Sequence, residues 1–137
     1  ANEVRYREYY MEDAEYVVIG FGTSGRIALS AVRAARAQGI KVGLFRPITV
    51  NPYPYKRVEE LCKQVKGILV VEMNTGQMLK DVEAAVRQKI PLRFYGRLGG
   101  VMPFPDEFLK EIQEMVKHPS KLEDDPADLW YQRMIAR

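Results

Sequence analysis

Residues 16–39 read YVVIGFGTSGRIALSAVRAARAQG: an apolar run, a glycine-rich turn and an alanine-rich helical pattern in direct succession. The run Tyr16-Val17-Val18-Ile19-Gly20 is short and apolar throughout, the pattern of a strand buried on both faces. Gly20, Gly22 and Gly25 form a literal G-x-G-x-x-G. From Ser24 to Gln38 the chain favours helix, and Gly39 stops it. One strand, one tight turn and one helix are thus specified within two dozen residues.

The same alternation repeats outward from this unit. Lys41-Val42-Gly43-Leu44-Phe45 is a second apolar run, followed by a Pro-rich turn from Arg46 to Pro54. Val58, Leu61, Cys62 and Val65 then share one helical face at i, i+3, i+4 and i+7. Gly67 to Val71 is the third run, and a helix over Gln77 to Lys89 follows with Leu79, Val82 and Val86 on one side. Leu92 to Tyr95 is the fourth run. Pro105, Asp106 and Glu107 open a further helix that turns Phe108, Leu109, Ile112, Met115 and Val116 inward. Strands alternating with helices predict an α/β fold: a mostly parallel sheet covered on both faces, in three αβα layers.

Two ends remain. Val4 to Tyr10 alternates and is rich in Tyr, which predicts a half-exposed edge strand. It lacks a long crossover before the next strand, so it runs antiparallel. Tyr6, Tyr9 and Tyr10 also fit one face of a helix. The tail over 118–137 is acidic and then amphipathic. Asp125-Pro126 starts a short helix with Leu129, Trp130, Met134 and Ile135 as its apolar side. The expected organisation is one domain over 1–117 and this tail.

Bulk properties narrow the class. At 137 residues the chain has room for one substantial core. Its apolar runs are too short to span a bilayer, and no signal peptide opens the chain. The net charge of +3 is spread over interspersed acids and bases, which argues against nucleic acid and membrane as partners. The single cysteine excludes an internal disulfide and a Cys-rich metal site, and a cytoplasmic location is expected.

The loops after the strands leave a parallel sheet at one edge, where open α/β sheets place their ligands. The glycine turn has two readings there. In a Rossmann site Gly22 would admit a pyrophosphate to the helix N-terminus. Such a site wants an acid ending the second strand, but that strand ends Leu44-Phe45-Arg46-Pro47; Arg46 could meet only the 2′-phosphate of NADP. The other reading, which we favour, is a tight turn with glycines for backbone reasons and Thr23 or Ser24 as the cap. Asn74 with Gln77 resembles a capping box. Glu72 leaves a buried strand as a carboxylate, so a specific donor is expected, Arg46 or Arg97. Arg97, between Gly96 and Gly99-Gly100, can present its guanidinium from a loop. Arg26, Arg33 and Arg36 make a solvated helix face or a docking stripe for an acidic partner. Cys62 reads as a small core residue. No Ser-His-Asp set, metal spacing or P-loop lysine occurs. Catalytic, cofactor and metal residues are therefore expected to be absent, and the candidate partner contacts are Gly22, Thr23, Ser24, Glu72, Asn74, Gln77 and Arg97.

Taken together, VVIGFGTSGRIA, KVGLFRPITVNPYP, ILVVEMNTGQMLKDV and FYGRLGGVMPFP resemble part of the alpha-type subunit of 2-oxoacid:ferredoxin oxidoreductases, of the 2-oxoglutarate and 2-oxoisovalerate kind. The likeness runs from about Asn2 to Met115. It implies a domain like the C-terminal domain of transketolase, a five-stranded sheet with one antiparallel strand, which suits Val4 to Tyr10. It further implies a parent complex that oxidatively decarboxylates a 2-oxoacid to an acyl-CoA. That complex would use thiamine diphosphate, magnesium (Mg) and iron-sulfur clusters, and would pass electrons to ferredoxin. None of these cofactors is expected in this chain. The implied partners are a pyrimidine-binding domain of the same subunit type and a thiamine-diphosphate-binding beta-type subunit, with ferredoxin reached only through the complex. A full alpha-type subunit carries the pyrimidine-binding domain first, so the chain reads as an isolated domain or a fragment, inactive alone. Asn51-Pro52-Tyr53-Pro54 departs from the family pattern before its second proline and leaves the 2-oxoacid open. Three functions stand side by side: a non-catalytic structural and assembly domain of such an enzyme, an NADP-binding Rossmann-type domain, and a free-standing interaction module.

Overall fold

The strand β2 (Tyr16–Gly20) lies at the centre of a five-stranded sheet. The computed structural model describes residues 5–48, 53–73, 77–87, 89–96 and 105–135. Within them β1 spans Tyr6–Tyr9, α1 Gly22–Ala37, β3 Val42–Pro47, α2 Tyr55–Leu61, β4 Gly67–Glu72, α3 Gln77–Val86, β5 Leu92–Gly96, α4 Pro105–Lys117 and α5 Pro126–Ile135. The strand order is β1-β3-β2-β4-β5, parallel throughout except for β1 against β3. The chain steps from β2 outward to β3, then crosses back over β2 to β4 and on to β5. That single reversal puts α1 on one face and α2 and α3 on the other.

The continuous apolar runs have a direct explanation. Side chains alternate between two cores. Val17, Ile19, Phe45, Ile68, Val70 and Phe94 pack with Val58, Leu61 and Val82 of α2 and α3. Val18, Leu44, Leu69, Val71 and Tyr95 pack with Ala28, Val32, Phe108 and Ile112 of α1 and α4. A strand with a core on each side has no polar face to spare. This is the expected three-layer αβα sheet with one antiparallel edge strand.

The glycine turn sets how closely α1 lies on β2. A methyl group at Gly25 would stand 2.7 Å from the Gly20 carbonyl oxygen and 2.9 Å from Cγ of Arg46. Gly22 has φ 59° with nothing near its missing side chain. The helix starts at Gly22, so Phe21 occupies the cap position, in extended conformation and without a side-chain cap bond. The expected cap at Thr23 or Ser24 is therefore corrected. Both lie inside the first turn, Thr23 exposed and Ser24 buried.

The short strand β1 is pinned from both faces, and it is a strand rather than the alternative helix. From the α2 side, Arg57 grips the Glu8 carboxylate with two N–H groups, the Nη2 bond being 2.9 Å. Gln64 donates to the carbonyls of Met11 at 2.6 Å and Ala14 at 3.2 Å. From α1, Arg36 donates to the Tyr10 carbonyl at 2.6 Å and pairs with Asp13 at 2.8 Å, while Arg33 donates to the Tyr10 hydroxyl at 3.2 Å. The expected arginine stripe is thus broken up. Arg33 and Arg36 serve the β1–β2 link, whose turn carries Tyr10 at φ 60° and leaves carbonyls in need of donors. Arg26 alone of the three is left exposed without such a role.

At the far edge, α5 lies against β5. Trp130 packs edge-on to Phe94 with ring centroids 5.2 Å apart. Glu111 of α4, only 3% exposed, accepts from Arg93 of β5 at 3.0 Å and from Arg133 of α5 at 3.4 Å. No helix among the described residues is long and apolar enough to cross a membrane.

Gly25→Ala should cost about 1–3 kcal/mol in urea unfolding, because a backbone oxygen cannot swing aside as a side chain can. Gly22→Ala should cost roughly 1–2 kcal/mol for its left-handed conformation alone, with Gly22→Asn milder. Equal tolerance of Ala and Asn at Gly22 would contradict the backbone explanation.

Candidate functional site

In this sheet the carboxyl ends of β2, β3, β4 and β5 and the amino-terminal end of β1 share one edge. The register aligns Tyr6 with Pro47 and Glu72 with Gly96. Tyr6, Ile48 and Phe21 therefore follow one another along this edge, all exposed, with Tyr55 also exposed at the start of α2. Gly22 and Thr23 lie beside Phe21. The strand order reverses between β2 and β4, so the gap between Phe21 and Glu72 is the switch point of the fold.

Of the expected contact residues, Gly22, Thr23, Ser24 and Glu72 fall at this edge, and the backbone of Gln77 opens α3 there. Asn74 and Arg97 lie outside the described residues, as does the expected capping box through Asn74. The strands ending at Glu72 and Gly96, β4 and β5, pair directly. A reading by residue type missed the exposed apolar row of Tyr6, Phe21, Ile48 and Tyr55. Its signal is an aromatic side chain set among turn residues, as in Gly20-Phe21-Gly22 and Pro52-Tyr53-Pro54-Tyr55.

Glu72 ends an otherwise apolar strand and is 8% exposed. Its carboxylate accepts the backbone N–H of Met78 at 3.2 Å and of Leu79 at 3.4 Å. It therefore caps α3 from outside the helix, at the end where the partial charges favour an anion. Arg46 is not its donor. β2 lies between β3 and β4, two strand spacings or roughly 10 Å across. The Arg46 Nε is buried with no partner, and the side chain lies over Gly25 instead.

Beside this cap stand two tyrosines. Tyr55 donates to Asp81 of α3 at 3.0 Å, which together with the negative charge of Asp81 pushes its hydroxyl pKa up. Tyr53 packs against Tyr55 with centroids 5.1 Å apart, is 4% exposed, and has a hydroxyl without a partner. Burial first, then the negative charge of Asp81, raises its pKa far above the ordinary phenol. Burial raises the pKa of Glu72 as well, against the two helix N–H groups that lower it, with Asp81 adding to the rise.

Among the described residues, the arrangement lacks a nucleophile paired with a base. Cys62 donates its thiol to the Val58 carbonyl at 3.4 Å, and burial pushes its pKa up, which suits packing and not reactivity. As the chain's one cysteine it does not fit an iron-sulfur cluster, which takes four cysteine ligands. Among the described residues, no group of three or more His, Cys, Asp or Glu could hold a metal ion. What the edge offers is an apolar rim, an open glycine turn and a buried, helix-capping carboxylate.

Because the folded pKa of Glu72 is raised, its contribution to stability is full at about pH 4 and below. It is lost as pH rises through the raised value. Urea unfolding of the wild type and Glu72→Gln across pH 4–7 should show the wild type losing ground to the variant as pH rises. A difference that grows in favour of the wild type toward neutrality would mean that the cap outweighs burial.

Comparison with known proteins places this geometry in a lineage. The family model for the pyruvate:ferredoxin oxidoreductase core domain II matches residues 14–108. The ketoisovalerate oxidoreductase subunit VorB of Methanothermobacter marburgensis is 45% identical over 114 residues, covering 83% of this chain and 32% of the relative. The 2-oxoglutarate synthase subunit KorA of the same organism is 32% identical over 106 residues, covering 77% and 28%. The chain thus spans about a third of the length of the curated relatives it matches. Among solved structures, the 2-oxoglutarate:ferredoxin oxidoreductase from Magnetococcus marinus superposes with a TM-score of 0.68 at 21% identity, over 82% of this chain and 20% of that one. A split gene transketolase, as an inactive beta4 tetramer, gives 0.70 at 15% identity, over 82% and 41%. Both likenesses concern the fold. With an ordered match through β2, the glycine turn, β3, β4 and β5, the chain belongs to the pyruvate:ferredoxin oxidoreductase core domain II family.

Proposed function

We propose that this chain is the non-catalytic assembly domain of an alpha-type subunit in a thiamine-diphosphate-dependent 2-oxoacid:ferredoxin oxidoreductase acting on a branched 2-oxoacid. The observation that carries the reading is the match to a ketoisovalerate oxidoreductase subunit, 45% identical against 32% for the 2-oxoglutarate relative. Thiamine diphosphate with magnesium supplies the decarboxylation chemistry of such enzymes, and iron-sulfur clusters carry the electrons. In this reading both are held by other parts of the complex, since one buried cysteine cannot bind a cluster.

The chain's own part is docking. Gly22, Thr23, Ser24 and Glu72 at the strand-end edge serve as the contact set, with Gln77 at the start of α3; Asn74 and Arg97, outside the described residues, are assigned to it from the sequence alone. The exposed Phe21, Ile48 and Tyr55 provide apolar area around them. The pyrimidine-binding domain of the same subunit type and the thiamine-diphosphate-binding beta-type subunit are the partners, and ferredoxin meets the complex elsewhere. Glu72 contributes by holding the start of α3 in place beneath this surface.

Two measurements test the reading. The purified 137-residue chain, supplied with 2-oxoisovalerate, thiamine diphosphate and CoA, should reduce no viologen. The complex isolated through this chain from its source should contain a thiamine-binding subunit and reduce viologen faster with 2-oxoisovalerate than with 2-oxoglutarate. A preference for 2-oxoglutarate would overturn the substrate assignment. A rise in melting temperature with NADP(H) would point instead to a nucleotide-binding domain, because ligand binding stabilises the folded state by mass action.

A further inference from the structure

Two carboxylates and two phenols meet where α2 and α3 begin. Glu72 spends one lone pair of each carboxylate oxygen on the N–H groups of Met78 and Leu79, which leaves each oxygen room for a second donor. Asp81, one turn beyond Met78, accepts from the Tyr55 hydroxyl at 3.0 Å. Beyond burial, the negative charges of Asp81 and Glu72 both act on the Tyr53 hydroxyl, and Asp81 acts on Glu72, so these groups face one shared volume. Among the described residues, no Lys or Arg forms an ion pair with Glu72 or Asp81.

Tyr53 marks this volume as incomplete. It is 4% exposed and its hydroxyl has no partner, a defect that apolar packing does not repair. Glu72 has the same defect in charged form: it is buried, with only two long N–H bonds of 3.2 and 3.4 Å to offset its lost hydration. One cationic donor entering between them would satisfy both. Tyr55 lies at the entrance, its ring 5.1 Å from that of Tyr53 and open to solvent. An aromatic face beside two carboxylates selects a planar cation. A guanidinium stacks on the ring, donates as a fork to a carboxylate and keeps further N–H groups for a phenol oxygen. An ammonium has no plane to stack, and a metal ion finds too few ligands among the described residues.

We propose that Tyr53, Tyr55, Glu72 and Asp81 receive an arginine side chain of the docking partner, its guanidinium entering past Tyr55 to bridge the Glu72 carboxylate and the Tyr53 hydroxyl. Asp81 adds a second negative charge beside the path of entry, which favours the cation over a neutral donor. The inference rests on the reading of this edge as a docking surface. It does not depend on which reaction the complex carries out.

The test titrates the 137-residue chain with N-acetyl-arginine methylamide and with its citrulline counterpart, which keeps the shape and loses the charge. Amide spectra should show saturable shifts at Met78, Leu79 and Tyr55 with the arginine compound and none with the citrulline one. Glu72→Gln and Asp81→Asn should each weaken binding by about tenfold or more, and Tyr53→Phe by less. Glu12→Gln, an exposed charge at the other end of the sheet, should leave it unchanged. Asp81→Asn keeps an acceptor for Tyr55, so it decides the matter if Glu72→Gln does not fold. In the isolated complex, a photo-cross-linker at position 55 should capture a partner peptide containing arginine. Replacing that arginine by Gln should weaken assembly in the wild type and no further in Asp81→Asn. Equal shifts with citrulline, no saturable response, full affinity in Asp81→Asn, or assembly indifferent to that variant would each overturn the proposal. A response seen only after Arg97→Gln would overturn it too, by giving the site to the chain's own arginine. A complex without a thiamine-binding subunit would sink the enzyme reading and leave the titration standing.

Discussion

The closest backbone approach in the sheet's centre is that of Gly25 to Gly20, where a single methyl group would meet a carbonyl oxygen at 2.7 Å. α1 can rest on β2 only because neither position has a side chain. That contact fixes the height of α1 above the sheet. It therefore fixes where Ala28, Val32 and Ala35 meet Val18 and Leu44, and where α4 settles beside α1. It also keeps the Arg46 stem against the start of the helix. A G-x-G-x-x-G turn is usually explained by what it lets a ligand do. Here the third glycine is fully accounted for by helix–strand packing, and the middle one by its positive φ.

The edge built on that contact combines two opposed requirements. Docking needs apolar area that water leaves readily, which Phe21, Ile48 and Tyr55 supply. It also needs a backbone that does not drift before the partner arrives. Glu72 meets the second requirement by joining the end of β4 to the first turn of α3, one carboxylate spanning two N–H groups. Its burial costs stability near neutrality, the exchange expected where order at a surface matters more than the last increment of free energy.

Much of this was legible in the residues because periodicity reports burial directly. The four apolar runs are the four parallel strands, and Val58, Leu61, Cys62 and Val65 are all buried as their spacing requires. What periodicity does not carry is the identity of a backbone partner. Glu72 was expected to seek the guanidinium of Arg46 or Arg97; its donors among the described residues are peptide N–H groups, which every sequence contains and none advertises. Arg33 and Arg36 looked like a solvated stripe because their acceptors, at Tyr10 and Asp13, lie more than twenty residues away. Tyr10 itself takes a left-handed conformation that its residue type gives no hint of. The amphipathic tail was likewise readable as a helix, but nothing local says that it rests on β5.

The clamp on β1 bears on where this domain can be excised. The recognisable family stretch begins at residue 14, after β1 has ended. A piece cut at that boundary would strip Glu8 from Arg57, Asp13 from Arg36 and Tyr10 from Arg33. It would leave cations on both faces facing empty space, with the backbone of β3 newly bare along one side. Homology and contact thus mark out different lengths of the same chain. The stretch that identifies its ancestry is shorter than the stretch that these ion pairs tie into one sheet.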